Sequence, residues 1–326
     1  MTDSLESQSK AISVFAPVSI GNVSVGFDNL GLAVNPIDGL LLGDLVQIKL
    51  SSNNENSLNC QGKYQSILPE NKEENIIWLC LIEFNKHYSK NGGDLQFVEL
   101  TLTKDIPICS GLGSSACSVV AGLVALNEFY QNPFSENELL EMMGRIEGNI
   151  SGGIHYDNVA PCYLGGLQLM IGLEDSISQS IPTFDDCYWV IAYPDIKVST
   201  KMAREILPDS YPMNEVIQSS RLLAGFIDAS HRQNKQQAFS LLKDIVAEPY
   251  RTKLLTNFDS TKEMLLQEGC LSVGISGSGP TLFAVCDSID IAEKAKTVFK
   301  ANYIQSSEGF VHICKTDKQG ARQVNI

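Results

Sequence analysis

Ten residues, Pro107-Ile108-Cys109-Ser110-Gly111-Leu112-Gly113-Ser114-Ser115-Ala116, constrain this chain more than any other stretch. Two glycines and three serines lie between a strand-like run, Phe97 to Thr103, and a helix-like run, Ala116 to Tyr130. A loop of small residues opening a helix leaves backbone N–H groups bare and aimed at one spot, where they add to the positive end of the helix dipole. Glycine lets the backbone approach an anion closely, and serine supplies hydroxyls for a phosphate or a metal ion. The first expectation is therefore a nucleotide phosphate site. It is not a Walker A loop, which ends in Gly-Lys-Ser/Thr. Gly111-x-Gly113-x-x-Ala116 does match the dinucleotide-binding pattern, but no Asp or Glu closes a strand about 20 residues later.

The rest of the chain suits a soluble globular protein. Its 326 residues allow two domains at about 100–200 residues each. Apolar residues make up 44% and charged residues 19%, within the globular range. The net charge of −14 argues against a nucleic-acid or anionic-membrane partner, because both need a basic face. A small anionic ligand needs only a few local arginines and lysines. Nine cysteines with no C-x-x-C pair read as reduced thiols in a reducing compartment. Cys109, inside the glycine loop, is open to two readings, a reactive thiol or a small filler residue. Met1 to Lys10 has no basic stretch followed by an apolar one, and no apolar run reaches the roughly 18 residues of a membrane span. The cytoplasm is the expected location.

Along the chain, Ala11–Phe15, Leu45–Leu50, Phe97–Thr103, Leu167–Ile171, Trp189–Tyr193, Leu271–Ile275, Leu282–Cys286 and Phe310–Lys315 read as strands. Residues 51–75, rich in Asn, Ser and Glu, read as a surface excursion. Helical patterns cover Asn75–Tyr88, a segment opened by the capping-box pair Ser135 and Glu138 and ended by Ser151-Gly152-Gly153, and about 214–232, 235–247, 259–268 and 290–301. Strands and helices mixed without strict alternation predict an α+β protein. The domain boundary is expected near residue 168, giving units 1–168 and 169–326.

Other residues stand out less. Glu147 falls on the apolar face of its helix, seven and four positions after Leu140 and Met143. A carboxylate there is costly unless paired or bound to a cation. From the helix alone, an Mg²⁺ ligand and a boundary residue pairing with Arg145 are equally open. Asn22 and Asp28 lie in a glycine-bearing turn after Ala16-Pro17. His155-Tyr156-Asp157-Asn158 clusters polar side chains before Val159-Ala160-Pro161. Arg204 and Arg251 are two of few arginines, and each suits either a ligand carboxylate or a surface ion pair.

Taken together these segments resemble the GHMP kinases, the superfamily of galactokinase, homoserine kinase, mevalonate kinase and phosphomevalonate kinase. Pro107 to Ala116 resembles their phosphate loop, and Ser276-Gly277-Ser278-Gly279-Pro280 their C-terminal glycine motif. Ala16-Pro17 through Asn22-x-x-x-Gly26-Phe27-Asp28, Glu147-Gly148, His155 to Pro161, Val198-Ser199-Thr200 to Arg204 and Ala247 to Arg251 are similar to the homoserine branch, especially its bacterial form. The likeness runs from about Ser13 to Lys315. Gly21 stands where an alanine is commoner, and the first motif lacks the lysine that mevalonate kinases use near the phosphates.

The resemblance implies ATP-dependent phosphorylation of the L-homoserine side-chain hydroxyl, a step toward threonine, with Mg²⁺. It implies an N-terminal α/β domain with a left-handed βαβ crossover and a ferredoxin-like C-terminal domain, where patterning alone predicts a right-handed crossover. It places Asn22, Asp28, His155, Asn158, Arg204 and Arg251 around homoserine, with Asp28 at the reacting hydroxyl and the two arginines on the carboxylate. Ser115 and Glu147 match the Mg²⁺ positions and, with Asp28, the catalytic ones. ATP falls to Asn75, Lys104 and the loop from Pro107 through Ile108, Cys109, Ser110, Gly111, Leu112, Gly113, Ser114, Ser115 and Ala116 to Cys117. A homodimer is implied by the same analogy. A superfamily kinase for mevalonate or a sugar, and a non-catalytic nucleotide-binding regulator, are the alternatives.

Overall fold

Residues 11–151, 153–173 and 176–325 are described by the computed structural model. The polar first ten residues and Gly152 of the Ser-Gly-Gly segment lie outside them. The strands are β1 (Ile12–Pro17), β2 (Ser19–Gly21), β3 (Leu30–Pro36), β4 (Gly43–Leu50), β5 (Ser57–Gln61), β6 (Val98–Thr103), β7 (Leu167–Leu173), β8 (Ser176–Ile181), β9 (Tyr188–Tyr193), β10 (Ser272–Ile275), β11 (Leu282–Cys286), β12 (Phe310–Thr316) and β13 (Arg322–Gln323). The helices are α1 (Ile76–Lys90), α2 (Ser114–Phe129), α3 (Glu136–Ser151), α4 (Val159–Leu164), α5 (Thr200–Glu205), α6 (Met213–His231), α7 (Lys235–Leu241), α8 (Glu248–Arg251), α9 (Phe258–Gln267) and α10 (Ile289–Asn302).

One sheet runs β13-β1-β4-β6-β5. Its β5 and β6 are parallel, and α1 makes the crossover between them. Helix α2 packs on β1 and β4, with α1 and α3 against its other sides. Surrounded in this way, it is buried along nearly its whole length, and its sequence is apolar or small on every face. The second sheet runs β10-β11-β9-β12-β3-β7-β8, with β2 paired to β3. Within it, β9–β12 with α9 and α10 form the βαββαβ arrangement of ferredoxin-like domains, order β10-β11-β9-β12. Two apolar cores result, one centred on α2 and one between β9–β12 and the pair α9 and α10.

Most expected elements form within a residue or two of their predicted ends. Ser135 and Glu138 do build a capping box: Ser135 N and Oγ donate to Glu138 Oε2 (2.8 and 2.6 Å), and Glu138 N donates to Ser135 Oγ (3.4 Å). Two expectations need correction. The excursion at 51–75 contains β5, an exposed edge strand whose pairing with β6 is set by the backbone, so its Ser, Asn and Gln side chains carry no strand signal. The helix expected over 235–247 stops at Leu241. The Asp244 carboxylate takes the N–H groups of Val246, Ala247 and Glu248 (2.8, 2.8 and 3.0 Å) and starts α8 afresh.

Candidate active site

The phosphate-type loop leads into α2 through alternate left-handed residues: Cys109 (φ 59°), Gly111 (φ 79°) and Gly113 (φ 65°). Such alternation turns successive N–H groups inward. Gly113 is the N-cap of α2 and has no side chain to satisfy the first helical N–H groups. The loop is braced from three directions. Ser19 N of β2 donates to Leu112 O (3.2 Å). The second glycine segment approaches so closely that a Cβ on Gly111 would lie 2.5 Å from Ser276 O. From that segment Ser276 Oγ donates to Gly111 O (2.6 Å) and Thr281 N to Ser110 O (3.1 Å).

The third brace is a buried charge cluster. Lys104, 2% exposed, ion-pairs with Asp44 and donates to Ser114 O (2.6 Å) and Ser118 Oγ (3.0 Å), while Ser118 Oγ donates to Asp44 (2.6 Å). Lys104 touches the cavity wall, yet in this arrangement its ammonium secures the first turn of α2.

A cavity of about 380 Å³ opens from this loop. It is lined by Ile108, Cys109, Ser110, Gly111, Gly113, Ser114 and Ser115, and also by Asn22, Asp28, Lys104, Glu147, His155, Asn158, Arg204 and Arg251. The fold thus gathers at one cavity residues expected on both nucleotide and acceptor sides. Pro107, Leu112, Ala116 and Cys117 do not reach its wall. Cys117 is buried, its Sγ 3.3 Å from Pro17 O and 4.0 Å from Cys162 Sγ. Asn75 is buried as the N-cap of α1, accepting from Ile77 N (3.0 Å), while its neighbours Glu74 and Ile76 line the cavity. All nine cysteines are free thiols.

Ser115 and Glu147 face each other, and Ser115 Oγ donates to Glu147 Oε1. Burial pushes the Glu147 carboxyl above its usual range, against the pull of the Ser115 hydrogen bond and of Lys104. Arg145 turns instead to Glu83 and Glu141 (3.9 and 3.5 Å). Among the described residues no group of three or more His, Cys, Asp or Glu forms a metal cage. One carboxylate and one hydroxyl are hard oxygen donors of the kind Mg²⁺ takes when phosphates and waters supply its remaining positions.

The side of the cavity expected to take the acceptor rests on a strained turn. Asn22, Val23 and Ser24 all adopt left-handed φ (66°, 46° and 56°), a costly run for non-glycine residues. Asn22 holds it: its Oδ1 accepts from Asp28 N (2.9 Å) and its Nδ2 donates to Gly277 O (3.1 Å). Arg204, from α5, grips Asp28 through Nη1 (3.1 Å) and Nη2 (2.8 Å). His155 Nδ1 lies 3.7 Å from Asp28, and burial holds its imidazole below the usual value. Arg251, buried on α8, donates to Ala203 O (3.1 Å) and Gly277 O (2.8 Å). Both arginines keep further N–H groups beyond these bonds.

Sequence reasoning missed three contributors. Phe27 carries both guanidinium groups over its ring, Arg204 at 5.5 Å and Arg251 at 5.3 Å from the centroid. Asp44 is separated from Lys104 by 60 positions, which hides the pair. Asp157 lay within a motif already noted, but only the fold reveals that it is buried.

The comparisons with known proteins agree with this architecture. Residues 75–166 match the model of the GHMP kinases N-terminal domain, and residues 226–305 that of the GHMP kinases C-terminal domain. A homoserine kinase from Cytophaga hutchinsonii is 31% identical, with 96% of this chain and 97% of that one covered and a TM-score of 0.87. A protein of Listeria monocytogenes proposed to be a homoserine kinase is 22% identical (97% and 100% covered, TM-score 0.71). A mevalonate kinase of L. major, solved with R-mevalonate, is 15% identical (95% and 97% covered, TM-score 0.64). Among the described residues no helix is long and apolar enough to cross a membrane. With its two-domain architecture, the chain belongs to the GHMP kinase family, and it is a phosphotransferase of that kind.

Proposed function

We propose that this kinase transfers the γ-phosphoryl group of ATP to the side-chain hydroxyl of L-homoserine, giving ADP and O-phospho-L-homoserine, a step of threonine biosynthesis. The observation that carries the reading is the pair Arg204 and Arg251, set over Phe27 beside Asp28 in the cavity that the phosphate loop also lines. Two guanidinium groups suit an acceptor with a carboxylate, whereas a neutral sugar offers no charge to pair with them. The 31% identity to a homoserine kinase supports the same acceptor.

Phosphoryl transfer depends on alignment and charge stabilisation more than on covalent chemistry by the protein. The acceptor oxygen bonds to the γ-phosphorus and loses its hydroxyl proton to solvent, while the bond from that phosphorus to the bridging oxygen breaks and ADP departs. The inward N–H groups of the loop and the N-terminus of α2 receive the phosphates and spread their charge. Ser115 and Glu147 would hold Mg²⁺, which when bound would neutralise phosphate charge. Asp28, gripped at both oxygens by Arg204, orients the hydroxyl. The spare N–H groups of Arg204 and Arg251 take the acceptor carboxylate.

ADP release with Mg·ATP and a panel of L-homoserine, mevalonate and galactose tests the reading. Turnover is expected with homoserine. Turnover with mevalonate in its place would overturn the proposal, since mevalonate also offers a carboxylate to the two arginines.

A further inference from the structure

Arg251 reaches the cavity from a very short support. Helix α8 has four residues, Glu248-Pro249-Tyr250-Arg251, too few to hold a helical shape by their own hydrogen bonds. Its backbone is nonetheless fully satisfied from residue 246 to residue 251. Asp244 Oδ1 accepts from Val246 N and Ala247 N (2.8 Å each), and Oδ2 accepts from Glu248 N (3.0 Å). Pro249 has no N–H to place. Tyr250 N and Arg251 N both donate to Ala247 O (3.1 and 3.0 Å). One carboxylate thus takes every N–H group of this stretch that the helix does not bond itself. Three such bonds need two acceptor oxygens, which an ionised carboxylate offers and an amide does not.

Side chains fasten the same turn to its surroundings. Tyr211, before α6, donates its hydroxyl to Val246 O (2.9 Å) and meets the Tyr250 ring edge to face, with centroids 6.4 Å apart. Glu248 ion-pairs with Lys262 of α9. At the other end Arg251 is 4% exposed, and its bonds to Ala203 O and Gly277 O fix the guanidinium beside the Phe27 ring. Burial pushes that guanidinium below its usual range; among the charges that oppose this, Asp244 stands first, ahead of Asp28 and Asp157. Asp244 itself does not reach the cavity wall.

We infer that Asp244 is a positioning residue of the reaction: by fixing the first turn of α8 it sets where the Arg251 guanidinium stands, and so sharpens the choice of an acceptor that carries a carboxylate. The inference rests on the reading in which Arg251 takes that carboxylate, and deepens it by naming what holds Arg251 in place.

The test compares L-homoserine with 3-amino-1-propanol, the same chain without the carboxylate, on the parent enzyme, Asp244→Ala, Asp244→Asn, Arg251→Ala and the double variant Asp244→Ala with Arg251→Ala. Asp244→Ala is expected to raise the homoserine KM about 10- to 100-fold, the worth of one charged hydrogen bond lost by misplacement. It should leave kcat with homoserine and the ATP KM within about threefold, and spare 3-amino-1-propanol. Asp244→Asn keeps one acceptor oxygen and should fall between the parent and Asp244→Ala. Because Asp244 acts through Arg251, the double variant should bind homoserine within about twofold of Arg251→Ala alone.

The inference is overturned if Asp244→Ala leaves the homoserine KM unchanged, or weakens both acceptors alike, as a general loosening of the fold would. It is also overturned if the losses of Asp244→Ala and Arg251→Ala multiply in the double variant. Should Asp244→Ala fail to fold, Asp244→Asn decides by the same comparison of acceptors. A parent enzyme with equal kcat/KM for the two acceptors defeats the carboxylate clamp itself, and the role of Asp244 with it. A parent that prefers homoserine, with the preference intact in both Asp244 variants, defeats only the role given to Asp244.

Discussion

Asp157 makes a prediction about stability that is independent of catalysis. Its carboxyl is raised from 3.8 to about 7, chiefly by burial and then by Asp28. The folded protein therefore binds a proton more tightly there than the unfolded chain does. Between the two values the folded state carries more protons, so the site's contribution to stability falls as pH rises, and the cost is complete above about pH 7. About three pH units at 1.36 kcal/mol each give about 4 kcal/mol at pH 8.5, and about 2 kcal/mol is already present at pH 5.5. Asp157→Asn keeps an oxygen to accept from Asn158 and loses only the charge. It should be more stable than the parent at both pH values, by an amount that grows by about 2 kcal/mol from pH 5.5 to 8.5. Urea unfolding at a series of pH values measures this directly, with the slope m checked for constancy. An advantage that is constant across the range, or that shrinks as pH rises, would refute the reasoning.

Four further outcomes follow from the geometry. Lys104→Met strands the fully buried Asp44 and should cost about 3–5 kcal/mol, most of it recovered in the double variant with Asp44→Asn, as read by chemical denaturation. Gly111→Ala puts a Cβ 2.5 Å from Ser276 O at φ 79°, and should lower both stability and ATP affinity, measured by unfolding and by nucleotide titration. Phe27→Leu removes the ring beneath both arginines. At about 0.5–2 kcal/mol per cation–π contact it should raise the homoserine KM severalfold or more while leaving the ATP KM unchanged. Asp28→Asn should reduce kcat more than homoserine affinity, and unchanged turnover would exclude Asp28 as the orienting group.

Local signals in this sequence were easy to read where chemistry and backbone geometry coincide. Pro107 to Ala116 announced a loop of bare N–H groups, and Ser135 with Glu138 announced a helix start, because each is completed by near neighbours. Glu147 was ambiguous on its helix, since only the fold brings Ser115 against it, 32 positions away. The edge strand β5 was hidden because its polar side chains take no part in its pairing. Asp244 was hidden because its role, stopping one helix and starting another, depends on backbone that has already turned. Phe27 gives no signal of its own in the sequence, because the arginines over its ring lie far along the chain. That Asn22, Asp28, Arg204 and Arg251 line one cavity was expected only through family resemblance, because they meet only in three dimensions.

The bracing of the phosphate loop by the second glycine segment also bears on synthesis of the chain. Ser276 and Gly111 are 165 positions apart, yet their bond holds the loop in its working curvature. A nascent chain halted before residue 276 contains every residue of the loop but none of this support. Contacts so distant in sequence form late and only after the intervening chain has closed. Nucleotide affinity should therefore arrive abruptly, once residue 281 has left the ribosome and β10 and β11 have paired. Shorter translation products would then compete poorly for the cell's ATP, and the enzyme would become active only as a whole.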